Sequence, residues 1–248
     1  MSYMNIKEFF DLLKESVKDF FRQPRIVLPA LCFLIFVFLA SFAGKSFASF
    51  QSSWGNIIWT SAFFLIFIFV GALFLGVMIS VAKEKNSSKE NTLKGAFNEG
   101  ARNWIANFLA LFTFSVLYWI VIGILYVLTE IILSFQPAIV LSILQFKLVA
   151  FFVLFAFLAG VFIFFSFMNF YISIYSLNLA DSVRKSFSLV RKEYLAVLSL
   201  SVLFFVLYWL TAKLPNYFAE VVEYLILLPF FVILMTRFVM RCEKNSKN

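Results

Sequence analysis

Between Asn103 and Ala180 the chain carries only two charged residues, Glu130 and Lys147. Everything else in that stretch is apolar, aromatic or small and polar. No soluble core of this size could hide so much apolar surface, so the solvent for much of the chain is lipid. Composition agrees: 63% of the 248 residues are hydrophobic and 14% are charged, against about 25% charged in ordinary soluble domains.

A transmembrane helix needs about 20 mainly apolar residues to cross roughly 30 Å of hydrocarbon. Six runs qualify: Ile26–Ala43, Ile57–Ala82, Trp104–Leu128, Val149–Ser173, Tyr194–Ala212 and Val221–Met240. The last is interrupted, because Glu223 and Arg237 enclose only 13 uncharged residues. Both must lie near interfaces, with Arg237 reaching outward along its stem. Ser41-Phe42-Ala43 could serve as a signal-peptide cleavage site, but the charged lead of 25 residues is too long and too amphipathic for an n-region. The first span is therefore expected to be retained.

The net charge of +8 comes from 21 Lys and Arg residues against 13 acidic ones. They lie between apolar runs and not in one patch, which points to juxtamembrane charge and not to nucleic acid. Eighteen fall in four segments (1–25, 83–102, 184–192 and 237–248), leaving Lys45, Lys147 and Lys213 between the alternate spans. By the positive-inside rule both termini are expected on the cytoplasmic side, with an even number of spans. The absence of histidine removes the commonest metal ligand and general base. With Cys32 and Cys242 the only thiols, neither a disulfide framework nor a metalloenzyme is indicated.

Three segments can be set in register on Leu13, Leu93 and Val183: "LKESVKDFFRQPRIVL", "LKGAFNEGARNWIANF" and "VRKSFSLVRKEYLAVL". Each holds a basic pair at the same spacing: Lys14/Arg22, Lys94/Arg102 and Arg184/Lys192. Downstream, without a gap, Val116-Leu117-Tyr118-Trp119 falls on Val206-Leu207-Tyr208-Trp209. Apolar residues recur at spacings of three and four (Ile6, Phe9, Phe10, Leu13, Val17, Phe20 and Phe21 in the first segment) with charges opposite. Such helices lie in the membrane surface with the apolar face down. The expected fold is thus all-α: a single transmembrane domain over 1–248, a bundle of six helices. It is arranged as three repeats (5–82, 92–173 and 180–240), each an interfacial amphipathic helix plus two spans. Mitochondrial carriers also have three two-span repeats, but their surface helix lies within the unit and their proline signature is absent here.

The stretch "FMNFYISIYSL" followed by "NLADSVRKSFSLVRKEYLAVLSL" resembles a group of uncharacterised six-helix prokaryotic membrane proteins. That group includes the membrane portion attached to some glycerophosphodiester phosphodiesterases. The resemblance implies a multi-pass protein of the prokaryotic cytoplasmic membrane and brings no catalytic residues. The phosphodiesterase domain itself is missing from this chain.

Several smaller features carry little chemistry. Gly44-Lys45-Ser46 echoes a phosphate-binding loop, but the required upstream glycine is Leu39, so an ordinary outer loop is expected. Glu130, Glu220 and Glu223 fall at expected outer helix ends; Glu220 and Glu223 share a face that could hold a cation. Ala72/Gly76 and Ala156/Gly160 permit close helix approach, and Asn169 is expected to bond a neighbouring helix. Trp104/Trp119 and Tyr194/Trp209, about 22 Å apart on a helix, suit the two aromatic belts. No cofactor and no enzyme activity are expected. The expected role is structural or lipid-interacting, with candidate contacts to anionic lipid headgroups through Lys14, Arg22, Lys94, Arg102, Arg184, Arg191 and Lys192, arginine adding a planar fork that fits phosphate. The alternative is a small permease for a neutral or lipid-like substrate, which would need no charged group at the midplane.

Overall fold

The computed structural model describes residues 4–48, 53–84, 93–135 and 167–245. Among the described residues the chain is all helical: α1 (Ile6–Arg22), a 3-10 turn (Pro24–Ile26), α2 (Val27–Ala48), α3 (Ser53–Glu84), α4 (Leu93–Arg102) and α5 (Trp104–Phe135), then α6 (Met168–Tyr175), α7 (Leu179–Lys192), α8 (Tyr194–Thr211), α9 (Asn216–Val222), a π turn (Glu223–Leu227) and α10 (Leu228–Asn245). Four helical stretches are long and apolar enough to cross a membrane: Pro24–Phe42, Thr60–Lys83, Tyr194–Thr211 and Phe218–Asn245. These place the protein in a membrane. Trp104–Leu117 is apolar over a shorter length, although its helix continues to Phe135. Most of the expected span Val149–Ser173, with Lys147, Ala156 and Gly160, lies outside the described residues.

One expectation about the outer ends is corrected, and one helix runs past its expected apolar limit. Helix α2 runs through Gly44-Lys45-Ser46 to Ala48, so the triplet is helical and forms no loop; continuous i to i−4 bonding leaves no nest of amides for a phosphate. Helix α5 is 32 residues long and carries Glu130 within it. At 1.5 Å per residue that is about 48 Å, longer than a bilayer's hydrocarbon, so the helix does not stop at Leu128.

Each amphipathic helix is delimited by local chemistry. Asn5 opens α1 with a capping box: the Glu8 amide donates to Asn5 Oδ1 at 2.8 Å, and the Asn5 amide donates to the Glu8 carboxylate at 3.3 Å. Asn178 caps α7 by accepting from the Asp181 amide at 2.8 Å. Immediately before it Ser176 takes φ 52°, a left-handed turn that ends α6 and redirects the chain. The three helices end at Gln23, Asn103 and Glu193. Those positions coincide when Leu13, Leu93 and Val183 are set in register.

Helices α3, α6 and α10 touch one another and form the inner layer. Each also lies against one amphipathic helix: α3 on α4, α6 on α7 and α10 on α1. The cytoplasm-predicted ends of the inner helices share one core, in which Met78, Ile79, Phe167, Tyr171, Ile233 and Phe238 are almost wholly buried. Phe167 and Phe238 meet with ring centroids 5.6 Å apart. Lipid is as apolar as leucine, so such a core holds by dispersion and shape fit more than by exclusion of water. Pro229 lies in this layer, and the π turn before it supplies a wider ring in which the Leu228 amide donates to Glu223 O. Proline offers no amide donor, and one extra residue per turn accommodates that loss.

Candidate functional site

The amphipathic helices pack on the protein with only part of their apolar stripe: in α1, Phe9, Leu13 and Phe20 lie against the core. In α1 the buried residues are Leu12, Ser16 and Asp19, while Ile6, Phe10, Val17 and Phe21 are exposed. The helix has three surfaces: one against protein, one apolar and open, one charged. A helix between protein, lipid and water needs all three, and a two-faced reading of its sequence merges the first two. The protein-facing edge uses small residues at equivalent positions, Ser16, Ala96 and Ser186, each 0% exposed. One residue further on, Val17, Phe97 and Phe187 are 44%, 40% and 42% exposed. Ser16 remains satisfied by donating its hydroxyl to Leu12 O at 2.8 Å.

The closest approach is between α3 and α4. A Cβ on Gly100 would stand 2.7 Å from the Val77 amide nitrogen, and one on Gly76 would stand 2.9 Å from Asn107 Nδ2. Gly76 therefore does permit close approach, to Asn107 of α5 and, at 3.3 Å, to Gly100 O of α4. Asn107, which periodicity does not single out, donates from Nδ2 to Ser173 Oγ at 2.9 Å in the buried α5–α6 contact. Its equivalents in the other two segments are Val27 and Val197, so a polar residue in an otherwise apolar register was the available signal. Asn169 is buried, and its Oδ1 has no partner among the described residues. Glu223 accepts from Thr211 Oγ1 at 3.0 Å, across from α8. Among the described residues no group of three potential ligands could hold a metal ion.

Among the described residues some basic side chains have acid or carbonyl partners and others do not. The partnered ones lie on α3, α7 and α10. Lys83 pairs with Glu99 at 2.7 Å, Arg237 with Glu15 at 2.7 Å and also with Asp19, and Lys185 with Glu243 at 3.4 Å. Arg241 donates to Glu8 O at 3.2 Å. The seven sequence-predicted headgroup contacts belong with the others, as do Lys7, Lys18 and Arg25. Lys14, Arg22, Lys94, Arg102, Arg184, Arg191 and Lys192 are all exposed. None makes an ion pair or side-chain hydrogen bond with another described residue. They are distributed over the outer surfaces of three helices, so the structure does not gather them into one cluster.

The family whose model fits this sequence, described as a domain of unknown function (DUF7847), matches residues 10–240. The chain belongs to that family. The DUF7847 match therefore takes in most of α1, all of α4 and α7, and the inner helices they rest on. No curated protein and no solved structure matches the chain.

Proposed function

We propose that the protein is a non-enzymatic, multi-pass component of the prokaryotic cytoplasmic membrane, built from three tandem units with six spans and both termini cytoplasmic. Its amphipathic helices lie in the cytoplasmic membrane surface and hold anionic lipid headgroups. The triplication is supported by three coincidences in one register: helix ends at Gln23, Asn103 and Glu193, buried small residues at Ser16, Ala96 and Ser186, and exposed apolar ones beside them. The ring of contacts, in which each inner helix lies on one amphipathic helix and α10 returns to α1, fits units arranged about an axis along the membrane normal.

The observation that carries the lipid reading is the division of the cations. Basic residues at the α3–α4, α1–α10 and α7–α10 contacts have protein partners, whereas the seven on the rim have none among the described residues and stand beside exposed apolar side chains. Each rim charge near an anionic surface contributes about 1 kcal/mol, roughly a fivefold change in binding. Changing Arg184 and Lys192 to glutamine should lower the anionic phospholipid that co-purifies with the protein while leaving its topology intact. Unchanged lipid retention would leave orientation of the chain as the whole role of these charges.

A permease for a neutral or lipid-like substrate draws on a different observation. Each inner helix carries one buried polar side chain, Ser80, Asn169 or Thr236, with an atom unpartnered among the described residues. Those helices nonetheless meet in a filled core around Phe167 and Phe238, so a path along the axis would require them to part. Proteoliposomes should accordingly show no uptake of neutral solutes above the protein-free background.

A further inference from the structure

The junction of α7 and α8 forms a groove beside a basic residue. Phe187, Ser188, Val190, Arg191 and Tyr194 line an open groove of about 610 Å³, within the size range of small-ligand sites. Val190 is wholly buried, whereas Ser188, Arg191 and Tyr194 are exposed. Arg191 brings the only guanidinium among the lining residues, and a guanidinium offers a planar fork of donors matched to phosphate oxygens. Ser188 adds a hydroxyl, and Tyr194 a ring with a polar tip suited to the headgroup level.

Below the groove the surface changes character along a single helical line. Leu195, Leu198, Val202, Phe205 and Trp209 follow Arg191 at spacings of four and three, and all five are exposed. From Leu195 to Trp209 this stripe covers about 21 Å at 1.5 Å per residue, comparable with one leaflet's acyl chain. Cation, hydroxyl, aromatic and apolar stripe thus follow the order of a phospholipid's own parts.

We propose that this groove seats one anionic glycerophospholipid, its phosphodiester on Arg191 and Ser188 and an acyl chain along Leu195, Leu198, Val202 and Phe205. The proposal rests on the lipid reading given above and refines it from a diffuse rim to a discrete site. The charge and the continuous apolar stripe together select a lipid over free phosphate, which would have no use for the stripe.

The full-length protein, reconstituted with phosphatidylglycerol in a phosphatidylcholine background and then stripped with detergent, should retain one phosphatidylglycerol per chain by native mass spectrometry. Arg191→Gln should weaken that retention about tenfold, the scale of one charge-assisted hydrogen bond, and Arg191→Lys should fall between. Short-chain phosphatidylglycerol and inorganic phosphate should not displace the retained lipid. The paired change Lys94→Gln and Arg102→Gln on α4 should lower general binding to anionic vesicles yet leave the retained lipid in place. If the α4 pair and Arg191→Gln reduce retention equally, the discrete groove is refuted and the diffuse rim stands. If neither changes lipid binding, both readings fall. Arg191 is exposed, so an unchanged helical signal and elution volume should accompany each variant.

Discussion

Arg237 ties α10 to α1. Its side chain is 16% exposed and reaches Glu15 and the nearly buried Asp19. Removing one partner of such a pair typically costs about 3–5 kcal/mol, because the other charge stays buried. Arg237→Gln should therefore markedly lower the thermal midpoint in detergent, and adding Asp19→Asn should recover part of the loss. A double-mutant cycle with no coupling between the two would show that the pair is incidental. Lys83 and Glu99 are the contrasting case. Both are more than a quarter exposed, so Lys83→Met should cost no more than about 1 kcal/mol. That difference could not be read from sequence, where Lys83 and Arg237 look alike as basic residues near the end of an apolar run.

At the scale of elements, the crossing of α3 and α4 turns on two glycines with different tolerances. A methyl group on Gly100 would meet the backbone of Val77, which cannot move without shifting the helix, whereas one on Gly76 first meets the side-chain end of Asn107. Gly100→Ala should thus destabilise by about 1–3 kcal/mol, as overpacking does, and Gly76→Ala by less. Equal midpoints for the two variants in a thermal melt would contradict the packing described. The same crossing explains a partial failure of sequence reasoning. Gly76 was legible as a close-approach residue from its spacing to Ala72, but its partner was not. A small residue signals proximity without saying to what.

For the whole molecule, the proposed topology and the proposed repeat make one prediction each. Single cysteines at Ser52 and Ser246, both outside the described residues, should label from opposite faces of an intact cell; labelling from one face would overturn the topology. If 93–119 and 183–209 are copies of one helix-plus-span unit, Trp119 and Trp209 should lie at the same depth. Both tryptophans are more than half exposed, and their helices begin at Trp104 and Tyr194 directly after corresponding breaks. In variants keeping only Trp119 or only Trp209, quenching by lipids brominated at graded positions should give matching profiles, and a clear offset would reduce the repeat to shared composition.

Sequence alone determined that this chain is helical and lives in a membrane, because a long uncharged apolar run has few ways to satisfy its backbone without water. It also determined where the amphipathic helices lie, since a period of 3.6 is a local property of the chain. Tertiary structure decided which edge of each helix meets protein. Ser16, Ala96 and Ser186 are unremarkable on a helical wheel and stand out only once the fold buries them completely. It also separated the paired cations from the rim. Charge is written in the sequence, but whether Arg237 or Arg191 has a carboxylate within reach depends on helices far apart in the chain.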